Sequence, residues 1–144
     1  MVTYSDSERL EPREYIDFLK RTDLGSQYPL QDFETRIGIL LKNADICITA
    51  RDESRRLIGI AMGVTDWAYF LFLTDLGVDR NFAKQGIGSK LLQMAHEKAG
   101  GLDDITMTTI SNEDAIGFYS KNGVVNEPEL MVKYCRNWES FVVE

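Results

Sequence analysis

The stretch Leu73-Thr74-Asp75-Leu76-Gly77-Val78-Asp79, followed by Lys84-Gln85-Gly86-Ile87-Gly88-Ser89-Lys90-Leu91-Leu92, constrains the fold more than any other part of the chain. It reads as a buried strand, a short loop, and a helix opening on two glycines flanked by lysines. A helix N-terminus carries unpaired N–H groups and about half a positive charge from its dipole. Glycine at both loop positions lets an anion reach the backbone without meeting a Cβ. The spacing predicts a phosphate site, and a pyrophosphate suits it best. A nucleoside triphosphate loop is excluded, because the chain has no glycine separated by four residues from a Gly-Lys-Ser/Thr. A dinucleotide fingerprint is excluded too, because Leu91 occupies the place of its third glycine.

A second segment, Ser111-Asn112-Glu113-Asp114-Ala115-Ile116-Gly117-Phe118-Tyr119-Ser120-Lys121-Asn122-Gly123, reads as a capped helix. Ser111 or Asn112 supplies the cap, acidic residues fill the first turn, and Gly123 follows the end. Ala115 and Tyr119 lie four apart and share a face, so the small residue leaves room beside the phenol. Together the two segments resemble the GNAT superfamily of N-acetyltransferases. The first is similar to its acyl-CoA-binding motif. The second is similar to its later motif, with Asn, Ala, Phe, Tyr and Gly at these intervals. Ala83 stands where the family usually has Gln or Arg, and Val124 where it has Phe.

The resemblance implies an α/β fold with a central mixed sheet of six to seven strands, strands four and five splayed, and about four flanking helices. It implies a single domain over residues 1–144, with acetyl-CoA as co-substrate and no metal. Leu76, Gly77 and Val78 would then line the acyl and pantetheine path. Lys84, Gln85, Gly86, Ile87, Gly88, Ser89 and Lys90 would surround the pyrophosphate. Asn112, Ala115, Phe118 and Tyr119 would complete the coenzyme site.

The order of elements read from the chain agrees with that fold. Val2–Tyr4 reads as a short strand, and a helix from Pro12 carries Tyr15, Ile16, Phe18 and Leu19. A second helix spans Leu30–Lys42. Strands follow at Ile46–Arg51, Arg56–Thr65 and Tyr69–Val78. After the glycine-led helix, Gly100-Gly101 makes a stop, Ile105–Ile110 reads as a strand, and the Tyr119 helix follows. A last strand is expected near Met131–Cys135, with the tail Arg136–Glu144 adding an edge strand or wrapping the surface. Mixed strands and helices around one sheet make an α/β class.

Composition narrows the partners. The chain has 144 residues, enough for a substantial core, and a formal net charge of -7. That charge argues against nonspecific nucleic-acid binding, which needs a basic surface. Cys47 and Cys135 lie far apart and read as reduced, buried thiols. No basic-then-apolar leader is apparent, and the run Ala68–Leu73 is too short to cross a bilayer. A cytoplasmic protein without a membrane partner is the expectation. Members of the family often form homodimers, and nothing in the sequence fixes an interface.

Acetyl transfer to an amine has three needs: the amine loses a proton, the carbonyl oxygen is stabilised, and the departing thiolate gains a proton. The resemblance assigns the last role to Tyr119, whose reference pKa near 10 keeps it protonated at pH 7. A splayed strand leaves backbone N–H groups at Leu76-Gly77-Val78 for the oxyanion and the pantetheine amides. Asp75 points opposite to Leu76 and Val78 by strand alternation, and is a candidate base or substrate-cation binder. His96 falls off the apolar face of its helix and reads as solvated surface. No cysteine stands in either motif, so direct attack in a ternary complex is expected. The acceptor is a small-molecule or peptide amine, in a pocket built by the N-terminal helices with Trp67, Tyr69 and Phe70. A module that binds acyl-CoA without catalysis is the alternative.

Overall fold

A computed structural model describes the whole chain, Met1–Glu144. One mixed sheet runs in the order β1 (Thr3–Ser5), β2 (Ile46–Arg51), β3 (Leu57–Thr65), β4 (Phe70–Val78) and β5 (Thr106–Thr109). The first four strands pair antiparallel in sequence, and β5 runs parallel to β4. The β4-to-β5 crossover carries α3 (Ile87–Ala99), as a parallel pair requires. The other helices are α1 (Pro12–Leu19), α2 (Phe33–Asn43) and α4 (Ile116–Lys121).

Strand alternation sends apolar side chains to both faces, so two cores form. On one face Ile46, Ile48, Ala61, Leu71 and Leu73 meet Ile87, Leu91 and Ala95 of α3 and Tyr119 of α4. On the other, Cys47, Ile60 and Met62 meet Tyr15, Phe18 and Leu19 of α1 and Ile37 and Leu41 of α2. Pro12 opens α1 with a preset φ, and its buried residues recur at helical spacing. The C-terminal side of α1 is tied to the end of β4 by the Arg21 guanidinium, which donates to buried Asp79 and to the Leu57 carbonyl.

The sheet has five strands where the sequence reading expects six to seven. Met131–Cys135 forms no ladder, and Met131 and Tyr134 are exposed. Its pattern has strand propensity, but a strand exists only through its partner. The tail beyond it is anchored elsewhere. The Leu30 N–H donates to the Glu139 carbonyl at 2.8 Å, and the Val143 N–H donates to that of Gly25 at 2.9 Å. Phe141 meets the Phe33 ring edge-on, and Val143 is buried beside α1 and α2. The tail must therefore cross from the α4 face to the α1 face, and residues 124–138 are drawn over the surface instead of pairing with β5. Cys47 is buried as expected, whereas Cys135 is exposed on this crossing segment.

Gly63 faces the α3 core, where a Cβ would lie 2.6 Å from the Phe72 carbonyl oxygen and 2.9 Å from Leu71 Cδ1. Backbone cannot retreat as a side-chain tip can. Gly63→Ala is expected to destabilise the fold by roughly 1–3 kcal/mol through overpacking. Thermal unfolding should show a loss of several degrees; an unchanged midpoint would show that the sheet accommodates the methyl group.

Candidate active site

β4 and β5 are paired only over Phe70–Leu73 and Thr106–Thr109. β4 then continues from Thr74 to Val78 with β3 as its sole strand partner. Its other edge faces a gap. Thr74 is an extra residue in the β3–β4 register, which passes from Met62↔Asp75 to Gly63↔Leu73. Such a bulge bends and twists the strand that carries it. It lies immediately after the last residue that β5 pairs.

The loop leaving β4 leads straight to the helix mouth. Lys84 and Gly86 have positive φ, 61° and 81°. Gly86 caps α3 in the left-handed region with no side-chain hydrogen bond, and a Cβ there would meet nothing within 4 Å. Glycine is thus set at 86 by backbone conformation, beside open space. The first helical N–H bonded back is that of Lys90, to the Gly86 carbonyl at 3.1 Å. Ile87, Gly88 and Ser89 therefore present the free N–H groups of the first turn. Lys84, Gln85 and Lys90 are exposed around this mouth, and Ile87 anchors the helix in the core. Gln85 also lines a recess with Met1, Val2, Asp52, Glu53, Ser54 and Phe82.

Two glycines have a structural reason that the sequence alone does not reveal. A Cβ on Gly88 would come within 3.2 Å of the Phe118 ring, so this glycine lets α4 lie close on α3. A Cβ on Gly77 would lie 2.5 Å from Leu24 Cδ1, so it admits the 3-10 turn Asp23–Ser26 onto β4. Asn112 caps the 3-10 turn Glu113–Ala115 through Oδ1, which accepts from the Ala115 N–H at 2.9 Å. Its amide NH2 is left exposed. Ala115 and Phe118 pack at the edge of the α3-face core, together with Leu76 and Val78.

Tyr119 and Asp75 stand on opposite faces of the sheet beside the gap. Tyr119 is buried on the α3 face. Burial raises its pKa, partly countered by the Thr109 side chain. Thr109 is the last residue of β5 paired with β4, and its hydroxyl donates to the Leu73 carbonyl at 2.8 Å. The phenol thus sits where the strands part and stays protonated at neutral pH. Asp75 is 2% exposed on the α1 face. Its Oδ2 accepts from the Tyr15 hydroxyl at 2.5 Å, and that hydroxyl lies 3.1 Å from the one on Tyr28. Its Oδ1 has no hydrogen-bond partner, yet it is absent from the sealed, unsatisfied polar atoms, which are Arg21 Nε and Thr49 Oγ1. The residual exposure of the carboxylate therefore includes Oδ1. Burial raises the Asp75 pKa to about 6, against the opposing hydrogen bond from Tyr15.

Tyr15, Tyr28 and Thr109 were not singled out from sequence. The signal for Tyr15 is a phenol on an otherwise apolar helix face, since a buried hydroxyl needs a partner. Gln27, whose amide donates to the Thr74 carbonyl at 2.9 Å, fixes the same loop to the bulge. His96 is not solvated surface: its Nε2 lies 2.7 Å from the Ile105 carbonyl and ties α3 to the start of β5.

Comparisons with known proteins place this fold in a family. The profile described as Acetyltransferase (GNAT) family covers residues 10–124. The chain belongs to the GNAT acetyltransferase family. The uncharacterized N-acetyltransferase ycf52 of Porphyra purpurea is 26% identical over 97 residues, 65% of this chain and 56% of that protein. The chain thus matches little more than half the length of that curated relative. A GNAT-family acetyltransferase of Streptococcus pneumoniae shares the fold with a TM-score of 0.72 at 21% identity, over 94% of this chain and 99% of that one. An aminoglycoside acetyltransferase from an uncultured soil metagenomic sample, solved with sisomicin, has a TM-score of 0.65 at 17% identity, over 93% and 95%. No helix of this GNAT chain is long and apolar enough to cross a membrane.

Asp75 generates a stability prediction with a definite sign. Its folded pKa, about 6, lies above the unfolded value, so folding favours the protonated form. The stability it contributes is present below the unfolded pKa and is lost as pH rises through about 6. Asp75→Asn removes that loss. At pH 8 the variant is expected to be more stable by on the order of 2–3 kcal/mol, roughly 5–10 °C in midpoint, with no gain at pH 4. Thermal unfolding at both pH values checks it; a destabilised variant at pH 8 would contradict the assignment.

Proposed function

We propose that this GNAT chain is an acetyl-CoA-dependent N-acetyltransferase acting on a primary amine of a small molecule or peptide, by direct attack in a ternary complex. The observation that carries the reading is the β4 edge from Thr74 to Val78, unpaired by β5 and leading directly to the uncapped start of α3. The residues fit the coenzyme: N–H groups of Ile87, Gly88 and Ser89 for the pyrophosphate, Lys84 and Lys90 for its charge, and the Leu76–Val78 edge for the pantetheine amides and acyl oxygen. Asn112 can offer its exposed amide to the pantetheine arm. When bound, acetyl-CoA supplies an acyl group activated as a thioester.

The two faces divide the chemistry. On the α1 face, Asp75 Oδ1 draws the acceptor ammonium and takes one of its protons, leaving a nitrogen lone pair for the carbonyl carbon. As the N–C bond forms and the C–S bond breaks, Tyr119 on the α4 face gives its phenolic proton to the departing sulfur. Ammonium and thioester become amide and thiol: one nitrogen proton rests on Asp75, the second passes to solvent as the N–C bond forms, and solvent restores that of Tyr119. Backbone N–H groups of the open β4 edge hold the carbonyl oxygen as negative charge grows. The reading covers residues 1–144 as a single catalytic domain.

Tyr119→Phe is expected to lower kcat about 10²-fold while leaving acetyl-CoA affinity within a factor of three, measured by thiol release and calorimetry. Unchanged turnover would remove Tyr119 from its role. Gly86→Glu, which adds a carboxylate in the phosphate cradle and a side chain at positive φ, should abolish detectable acetyl-CoA binding. The pH profile of kcat/KM should fall on the acid side of about 6, where Asp75 becomes protonated. Confirmed acetyl-CoA binding with no thiol release across an amine panel would favour a non-catalytic acyl-CoA-binding module.

A further inference from the structure

Asp75 lies beneath α1, and the side chain that reaches it from that helix is a phenol. Tyr15 is fully buried, and its hydroxyl donates to Asp75 Oδ2 at 2.5 Å. An ionised carboxylate can only accept, and a phenol has a single proton to give. Tyr15 therefore spends its proton on Asp75. Of the two hydroxyls that lie 3.1 Å apart, Tyr28 is then the donor and Tyr15 the acceptor. The bonds run one way, from the connection between α1 and α2 through α1 to β4. Accepting from Tyr28 also polarises the Tyr15 hydroxyl and strengthens its bond to the carboxylate.

Tyr28 is held on both sides. Gln27 before it donates to the carbonyl of Thr74, next to Asp75, and Pro29 after it bridges to Ser140 of the tail. The titratable groups on this side of Asp75 are few. β3 presents Met62 opposite it, and the next position across is Cys47 of β2, whose thiol burial pushes up to about 11 and so leaves neutral. The charged residues of α1 are directed elsewhere: Glu14 pairs with Arg51 and Asp17 with Arg21, while Arg13 and Lys20 are exposed. Burial and Tyr15 thus oppose one another at Asp75, the first raising its pKa and the second lowering it, with about 6 as the outcome. A carboxyl at this depth without the Tyr15 bond would keep its proton nearer neutral pH and take none from an amine.

Resting on the N-acetyltransferase reading, we infer that Tyr15 and Tyr28 are positioning residues of the reaction, which hold Asp75 ionised with Oδ2 occupied and Oδ1 left for the acceptor nitrogen. Tyr15 acts on the carboxylate directly, and Tyr28 acts through Tyr15.

Two variants that keep the ring and remove the donor test this. Tyr15→Phe deletes the bond to Asp75, and Tyr28→Phe deletes the one behind it, at a partly exposed position. Carboxyl-carbon NMR of isotope-labelled aspartate, assigned with Asp75→Asn, follows the Asp75 titration without turnover. The midpoint should rise by about one pH unit in Tyr15→Phe, the scale of a hydrogen bond to a charged group, and by less in Tyr28→Phe. The acid limb of kcat/KM should rise in step, measured by thiol release with the fastest amine among ethylamine, 2-phenylethylamine, spermidine and kanamycin. Tyr15→Phe should therefore lose about ten-fold more activity at pH 5 than at pH 8.5. A merely loosened fold would lower activity at every pH without moving the limb. Acetyl-CoA affinity by calorimetry should stay within a factor of three in both variants. Should Tyr15→Phe fail to fold, the shift in Tyr28→Phe carries the test. A carboxyl titration unmoved in both variants would overturn the inference and leave the acetyltransferase reading standing. A shift in Tyr15→Phe alone would strike Tyr28 from the pair. A carboxyl that shifts while the acid limb stays would remove Asp75 as the base, and this inference with that assignment. Acetyl-CoA binding with no amine acetylated would instead overturn the catalytic reading, and the inference would fall with it.

Discussion

The structure turns on one missing set of hydrogen bonds. A strand inside a sheet normally satisfies both edges, yet β4 from Thr74 to Val78 is paired on one side only. The extra residue at Thr74 bends β4 just where β5 ends its pairing at Thr109. Main-chain groups along this edge are left for something that is not strand. Because the loop after β4 leads within a few residues to Gly86, the same opening reaches the helix mouth. One interrupted ladder thus joins the open β4 edge to the free N–H groups at the start of α3, the two surfaces that the proposed function assigns to the acyl and phosphate ends of the coenzyme.

The gap also separates the acid and base of the proposed mechanism. Strand alternation places Leu76 and Val78 toward α3 and α4, and Asp75 and Gly77 toward α1. Tyr119 and Asp75 therefore approach the opening from opposite faces, with pKa values raised by burial in both cases. For the phenol this keeps the proton in place at neutral pH. For the carboxylate it moves titration toward neutrality at a cost in folding stability, a pattern expected of a group kept for chemistry. The Tyr15–Asp75 bond and the neighbouring Tyr28 hydroxyl join α1, β4 and the α1–α2 connection in one polar cluster. The tail strengthens that connection from outside, through Glu139, Phe141 and Val143. Residues near 139–143 thereby help to hold the α1–α2 connection against β4.

Much of this was legible in the sequence, for reasons that differ by residue. The Gly86-Ile87-Gly88 spacing located the start of α3, because helix initiation and phosphate chemistry both need particular residue types locally. Alternation along Asp75–Val78 gave the correct faces, since the bulge precedes that stretch. Long-range contacts were not legible. Gly77 and Gly88 read as room for a ligand, while in the fold they also make room for Leu24 and Phe118. Tyr15 was read only as a residue of the first helix, because its partner is 60 residues away. Met131–Cys135 read as a strand from its pattern, but the anchoring of residues 139–143 across the α1 face decides its path. Local chemistry was visible; what each element packs against was not.

The central claim is that free main-chain N–H groups at the α3 mouth and on the open β4 edge bind one acyl-CoA molecule. Backbone amide NMR during titration with acetyl-CoA tests it most directly. The account predicts saturable shifts concentrated at Ile87, Gly88 and Ser89 and at Leu76, Gly77 and Val78, with an affinity that weakens as salt is raised. Shifts confined to other elements, or a spectrum unchanged at millimolar ligand, would contradict it.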